Sequence, residues 1–288
     1  TNIGYLARLN YSFGGKYYLT TSLRRDGASV FGADNKWGNF GAVGIAWRIS
    51  EENFMDSYNF IDDLKLKLSW GQNGNQGLDP YTTLSQVANG PSGGLRYQFS
   101  NTGSEIYYGL VQSTLGNSTL GWESTETWNT GFSSAWLNNR LFVDLDIYFS
   151  QTTDQIFQRN IPVMTGFKTV FASLGQVDNS GLELSVRSIN IHKNNFNWSS
   201  TVTYWQNNNK LAKLYGEDND GDGVEDDDIG NSLFIGEPLR PYFGYMQDGI
   251  VQEGDDEYIA LTGASPGSPK YADLDGEEGI TSQDRTIL

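Results

Sequence analysis

The stretch LFVDLDIYFS (Leu141–Ser150) alternates strictly, with Leu141, Val143, Leu145, Ile147 and Phe149 set against Asp144, Asp146, Tyr148 and Ser150. Period two means a β-strand, with every apolar side chain on one face and every polar one on the other. DDLKLKLSWGQNG (Asp62–Gly74) repeats the pattern, with Leu64, Leu66, Leu68 and Trp70 opposing Lys65, Lys67, Ser69 and Gly71. A face that apolar must be removed from water, and the lysines opposite must stay wet. Two architectures meet both demands: a soluble sandwich with the leucines inside, or a membrane barrel with the leucines on lipid and the lysines on the lumen.

Six further segments alternate in the same way: Gly4–Phe13, Tyr17–Arg25, Trp37–Ile49, Thr127–Trp136, Gly181–Val186 and Phe196–Trp205. Their connections sort by length. Gly14–Lys16, Leu137–Asn139 and His192–Asn195 are tight, and Ser50–Met55 reads as one helical turn with Ser50 as N-cap. Asp26–Lys36, Gly71–Glu126, Gln151–Gly175 and everything from Asn207 onward are long. In an up-and-down sheet this places all short turns on one rim and all long loops on the other, the outer-membrane barrel signature. Trp and Tyr near strand ends suit an interfacial aromatic girdle. The expected fold is all-β: an antiparallel transmembrane β-barrel segment of about eight strands with long extracellular loops. Residues 1–206 would carry strands and loops, and 207–288 an acidic extracellular loop region leading into the next strand. Leu64, Leu66 and Leu68 would face lipid, while Lys65, Lys67, Asp144 and Asp146 would face the lumen. The alternative is a soluble secreted β-sandwich, an adhesin or a calcium-dependent carbohydrate-binding protein, although Greek-key connections would not sort loops by length.

Composition agrees with a β protein: aromatics reach 14 % and glycines number 34, residues that favour strands and turns. No run of apolar residues is long enough for a transmembrane helix. There is no cysteine, and the net charge of −16 argues against a nucleic-acid partner. The lone histidine, His192, falls in an expected turn, and no hydrolase, zinc-protease or P-loop motif is present. Asp144 and Asp146 share a face as a glycosidase pair could, but charge lining a lumen is the plainer account of them, so no enzyme is expected. The chain starts at Thr1 without a signal peptide and ends on the strand-like QDRTIL, which reads as an internal piece of something longer.

Two acidic stretches raise the question of calcium. In GEDNDGDGVEDDDIG (Gly216–Gly230), Asp218, Asp220 and Asp222 hold the alternating positions of an EF-hand-like loop, followed by Gly223 and by Asp226. The terminal bidentate glutamate is missing, since Ile229 stands there. In DLDGEEGITSQD (Asp273–Asp284), Asp273, Asp275, Glu277 and Asp284 are so placed, but Glu278 takes the glycine slot. Each stretch reads as a candidate Ca2+ site, and the metal-free alternative for the first is a solvated acidic loop. Tyr81, Tyr97, Tyr107, Tyr108, Phe157 and Phe167 are loop aromatics that could contact a ligand or a protein partner.

Several blocks carry a family likeness. YYLTTSLRRDGASVFGADNKWGNFGAVGIAWRISEENFM (Tyr17–Met55) and FIDDLKLKLSWGQNGNQGLDPY (Phe60–Tyr81) resemble the mid-barrel region of SusC/RagA-type TonB-dependent outer-membrane transporters. LGNSTLGWESTETWNTGF (Leu115–Phe132) is similar to the family's NP-x-L-x-W-E block, with Ser118 in place of the usual proline. QVDNSGLELSV, GEPLRPYFGYMQDGIVQ and KYADLDGEEGITSQDRTIL follow in family order, and the resemblance of the last block implies that Asp273–Asp284 is a fixed structural turn rather than a Ca2+ site. The resemblance implies a plugged barrel of about 22 strands in the outer membrane of a Gram-negative bacterium. It also implies a SusD-like lipoprotein lid, energy from TonB through an N-terminal region not in this sequence, and import of oligosaccharides or peptides.

Overall fold

The computed structural model of the chain describes residues 1–32, 34–89, 96–97, 106–219, 221–277 and 279–288. Eight long strands form one antiparallel sheet: β1 (Asn2–Phe13), β2 (Tyr17–Ala28), β3 (Trp37–Arg48), β4 (Ile61–Asn75), β5 (Glu123–Trp136), β6 (Leu141–Thr153), β7 (Gln176–Lys193) and β8 (Phe196–Lys213). Each pairs only with its neighbours in sequence, so the sheet is a pure meander. All eight alternating segments are found among these strands.

The register aligns the faces. Leu66 lies opposite Trp47 and Phe132, Phe132 opposite Leu145, and Leu145 opposite Leu184, so one face carries a continuous apolar row across β3–β7. Among the described residues of the first unit, none covers this row. Leu66, Leu68, Ile45 and Phe149 are exposed, and the buried apolar residues among those described (Phe31, Leu120, Leu211, Leu214 and others) lie elsewhere. A sandwich would bury this face under a second sheet; here it is left for lipid.

Aromatic residues mark two levels on that face. Near the long-loop edge, Tyr5 stacks on Trp37 at 6.3 Å with Arg25 over the same indole at 5.2 Å, and Trp70 lies 6.3 Å from Trp128. Near the short-turn edge, Tyr17 stacks on Trp47 at 6.5 Å and Phe60 on Trp136 at 5.7 Å. A carboxylate gathers indole N–H groups at each level. Glu126 accepts from Trp70 (2.8 Å) and Trp128 (3.2 Å). Glu52 accepts from Trp47 (3.1 Å), the Tyr17 hydroxyl (2.6 Å) and Lys16 (3.0 Å). The Tyr17 hydroxyl first, then Lys16 and Trp47, holds the Glu52 carboxyl below its ordinary range.

The tight turns follow from local chemistry. Gly14 and Gly15 adopt φ of 59° and 68° in the three-residue connection Gly14–Lys16, where Lys16 N–H donates to the Phe13 carbonyl at 3.1 Å. Leu137, Asn138 and Asn139 are all left-handed, with φ of 60°, 56° and 59°. The Ser50–Met55 segment differs from expectation. It forms two 3-10 turns, Ile49–Glu51 and Asn53–Met55, and neither is capped by Ser50. The Ser50 hydroxyl instead donates to Asp63 at 3.0 Å, joining the Arg48–Asp63 ion pair.

The strands also outrun the apolar alternation at the long-loop edge. β4 continues through Gln72–Asn75 and β8 through Asn207–Lys213, past the boundary expected at residue 206. Beyond the membrane interface both faces of a strand meet water, so alternation is lost while backbone pairing continues. Short ladders occur inside the loops read as irregular, including Gln86–Ala88 with Val111–Thr114 and Ile156–Asn160 with Thr169–Ser173.

The chain divides into two compact units, Thr1–Asp226 and Asp227–Leu288. The second contains the ladders Phe243–Tyr245 with Arg285–Ile287 and Gln247–Ile250 with Pro269–Tyr271, and one helix, Asp256–Thr262. Phe234 packs on Phe243 at 4.7 Å, with Arg285 over the Phe243 ring at 4.2 Å.

Candidate functional site: the polar face and its mouth

The face opposite the leucines is a polar wall. Lys67 on β4 reaches Asp146 on β6 at 3.2 Å, although β5 runs between them. The intervening residue, opposite both, is Gly131. A Cβ there would strike the Leu145 carbonyl and come within 2.7 Å of Asp146 Oδ1. The same device recurs one row on. Tyr148 on β6 donates its hydroxyl to Asn207 on β8 at 2.8 Å over Gly181 of β7, where a Cβ would sit 2.5 Å from the phenol oxygen. In each case the missing side chain of the middle strand lets polar groups two strands apart meet. Lys65 lies over the Tyr18 ring at 5.3 Å, and Asp144 is exposed on the same face. The four residues expected on the lumen therefore do share one face.

At the long-loop end this wall opens into a cavity of about 490 Å³. Its charged pair is Arg24–Asp26 at 2.6 Å, and Asn73, Asn75 and Gln76 contribute amides. Gln76 Oε1 is buried and has no hydrogen-bond partner among the described residues. Phe40 and Trp122 form the aromatic side, 5.6 Å apart and edge to face, and Phe31 backs Trp122 at 5.1 Å. Phe40 fits because Gly74 and Gly38 leave room for its ring. The cavity offers ring faces, amides and a guanidinium–carboxylate pair, a lining able to hold a polar organic solute.

Phe40 and Trp122 were not among the residues singled out from the sequence. The available signal was one large ring among Gly38, Ala42, Gly44 and Ala46 on the polar face of β3. Of the loop aromatics named there, Tyr81, Tyr107, Tyr108, Phe157 and Phe167 lie outside this lining. Tyr81 is exposed with φ of 70°, Tyr107 and Tyr108 are exposed, and Tyr97 pairs with Tyr107 in a short ladder. Phe157 is half-buried beside Gly175, and Phe167 is half-buried just past the tip of the Ile156–Ser173 hairpin.

In the first acidic loop the described carboxylates turn to backbone N–H groups. Asp218 accepts from Gly221 (2.7 Å) and Gly223 (2.9 Å), Asp222 from Val224 (2.7 Å), and Asp226 from Asn219 (2.7 Å). Asp220 lies outside the described residues. In the second, Asp273, Asp275 and Asp284 bring carboxylate oxygens within 4.8 Å of one another, without Glu277. Three such oxygens suit a hard cation. Asp284, fully buried, also accepts from the N–H of Thr281 (2.7 Å) and of Leu274 (2.7 Å), which hold its carboxyl below the usual range. That bonding accounts for the turn without a metal.

A meander with an apolar outer face, aromatic levels at both edges and a polar inner wall defines a segment of an outer-membrane β-barrel. A family model described as TonB dependent receptor-like, beta-barrel matches residues 1–256, and the chain belongs to that family. Its members are outer-membrane proteins of Gram-negative bacteria. TonB-dependent receptor P26 of Formosa agariphila is 34 % identical over 290 residues, covering 99 % of this chain and 28 % of that protein. TonB-dependent receptor SusC of Bacteroides thetaiotaomicron is 36 % identical over 229 residues, covering 78 % and 22 %. Among solved structures, the RagAB peptide transporter superposes with a TM-score of 0.76 at 25 % identity, covering 100 % of this chain and 29 % of that one. The open-open state of the RagAB peptide importer gives a TM-score of 0.78 at 24 % identity, with the same coverage. The chain thus spans less than a third of the curated relatives it matches.

Proposed function

We propose that this chain forms part of the wall of a TonB-energised outer-membrane importer, working with a SusD-like lipoprotein and taking up oligosaccharides or peptides. The observation that carries the reading is the polar inner wall ending in a mouth cavity beside the long loops. Amides at Asn73, Asn75 and Gln76 match the N–H and C=O groups of a peptide backbone, and RagAB is described as a peptide importer. The Phe40 and Trp122 rings serve a peptide side chain or a sugar face alike. Tyr81, Tyr107, Phe157 and Phe167 are then candidates for contact with ligand or lid.

The test is growth of the source bacterium on an oligosaccharide mixture or a peptide digest as sole carbon source. A strain lacking the full-length gene should lose growth on one of them. Trp122→Ala in the full-length protein should slow that growth while leaving the amount of assembled barrel unchanged. Unimpaired growth of the deletion strain on both would sink the import reading, and failure of an associated lipoprotein to co-purify would sink the lid.

A further inference from the structure

The charges around the mouth cavity are unevenly committed. Asp26 exposes only 14 % of its side chain, with Oδ2 2.6 Å from Arg24 Nε. Its Oδ1 lies over Gly4, where a Cβ would come within 2.5 Å of it. The Arg24 side chain is 62 % exposed, and among the described residues its two terminal nitrogens have no partner. Arg8 adds a second guanidinium on the same face. It lies opposite Ser22 of the lining, in a row that continues through Ala42, Gly71, Thr127 and Ser150 without an acidic residue. Glu123, which pairs with the lining residue Asn75, is half-buried and already bonded to Asn75 and the Ile156 N–H. A chain of net charge −16 thus keeps free positive charge at this corner.

We propose that the mouth cavity selects solutes carrying a carboxylate, which Arg24 takes end-on through its terminal nitrogens while Arg8 adds attraction from the row below. Resting on the import reading, this narrows the substrate class. A guanidinium presents parallel N–H groups whose spacing matches the two oxygens of a carboxylate. The shielded Asp26 cannot offer an ammonium the same approach, so this matched pair still favours an anion. Beside it, Asn73 and Asn75 supply amides and Gln76 an acceptor for the N–H or O–H groups next to that carboxylate. Phe40 and Trp122 meet the apolar part of the solute. Two carriers supply such a group, the C-terminus of a peptide and the uronic acid of an oligosaccharide.

The experiment is native mass spectrometry of the full-length protein in detergent. One pair of probes is a pentapeptide library free of Asp and Glu, as acids and as C-terminal amides. The other is a mixture of oligogalacturonides before and after reduction of their carboxylates to alcohols. The parent should retain at least one acid form about tenfold better than its neutral counterpart. In Arg24→Gln that preference should vanish, with the amount of assembled barrel unchanged. Arg187→Gln, which removes the same charge near the short-turn edge of this face, should keep it. Retention of the peptide acid alone assigns the C-terminus, of the oligogalacturonide alone the uronic acid, and of both the carboxylate whatever its carrier. Equal retention of acid and neutral forms, retention of neither acid, or a preference unchanged in Arg24→Gln would each overturn the selection. Growth of the deletion strain, scored separately, shows whether the import reading stands when the preference fails.

Discussion

Leu66→Arg probes the face assignment most directly, and its cost can be worked from the register. Leu66 pairs with Phe132, which lies four residues from Trp128 and four from Trp136 on β5. Those tryptophans stand at the two aromatic levels. At ~3.4 Å per residue they are about 27 Å apart along the strand, and about 21 Å along the membrane normal at a tilt near 40°. Leu66 is therefore close to the midplane, where an arginine on the lipid face costs about 2–4 kcal/mol. The control is Lys67→Ala on the other face. It removes an ion pair whose side chains are 33 % and 28 % exposed, and so should cost about 1 kcal/mol or less after solvent screening. The assay is urea titration of full-length protein folded into vesicles, followed by the heat-dependent shift on gels. Equal losses for the two variants, or a larger loss for Lys67→Ala, would mean that the leucine face does not see lipid.

Sidedness is the next expectation: in intact cells an impermeant thiol reagent should label a cysteine at Asp222 and spare one at Asn138, and the reverse pattern would invert the topology. Glu52 has a depressed folded-state pKa, so its contribution is present above its unfolded value of about 4.3 and lost as pH falls through the lower folded value. The urea midpoint should accordingly drop in acid less steeply for Glu52→Gln than for the parent; parallel curves would remove Glu52 from the account. Gly131→Val should separate Lys67 from Asp146 and lower assembled yield more than Lys67→Ala does, because its side chain meets the Leu145 carbonyl; a yield equal to the parent's would contradict the close approach. Limited proteolysis of the full-length protein with calcium or chelator tests both acidic stretches, and calcium protection lost in Asp273→Ala or Asp220→Ala would assign the ion to one or the other.

The strands within the membrane were legible because lipid imposes a rule on every second residue. Leu64–Trp70 and Leu141–Phe149 display it without interruption, so their existence, order and facing could be read directly. Above the interface the rule lapses. Gln72–Asn75 and Asn207–Lys210 carry polar side chains on both faces, which is loop composition, yet they are held as strands by neighbours whose own pairing continues. Ser50 shows a different limit. It had the chemistry of a cap, but an arginine–aspartate pair from two strands competed for its hydroxyl, and only the register reveals that competition.

The mouth cavity was less legible because its parts are contributed as much by absent side chains as by present ones. Alternation identifies Gly131 and Gly181 as members of the polar face but cannot show that each lies between two partners. That follows only once three strands are aligned and Lys67, Gly131 and Asp146 fall in one row. Phe40 is likewise unremarkable as a letter among small residues until Gly74, far along the chain, is placed beneath its ring. A barrel wall with one residue per position in each row has no second layer from which to brace its lumen. Glycine in the middle strand supplies an alternative: it lets an ion pair or a phenol–amide hydrogen bond tie strands two apart. The polar face is thereby cross-linked along its rows, and the mouth cavity opens from a wall already held in shape before any ligand arrives.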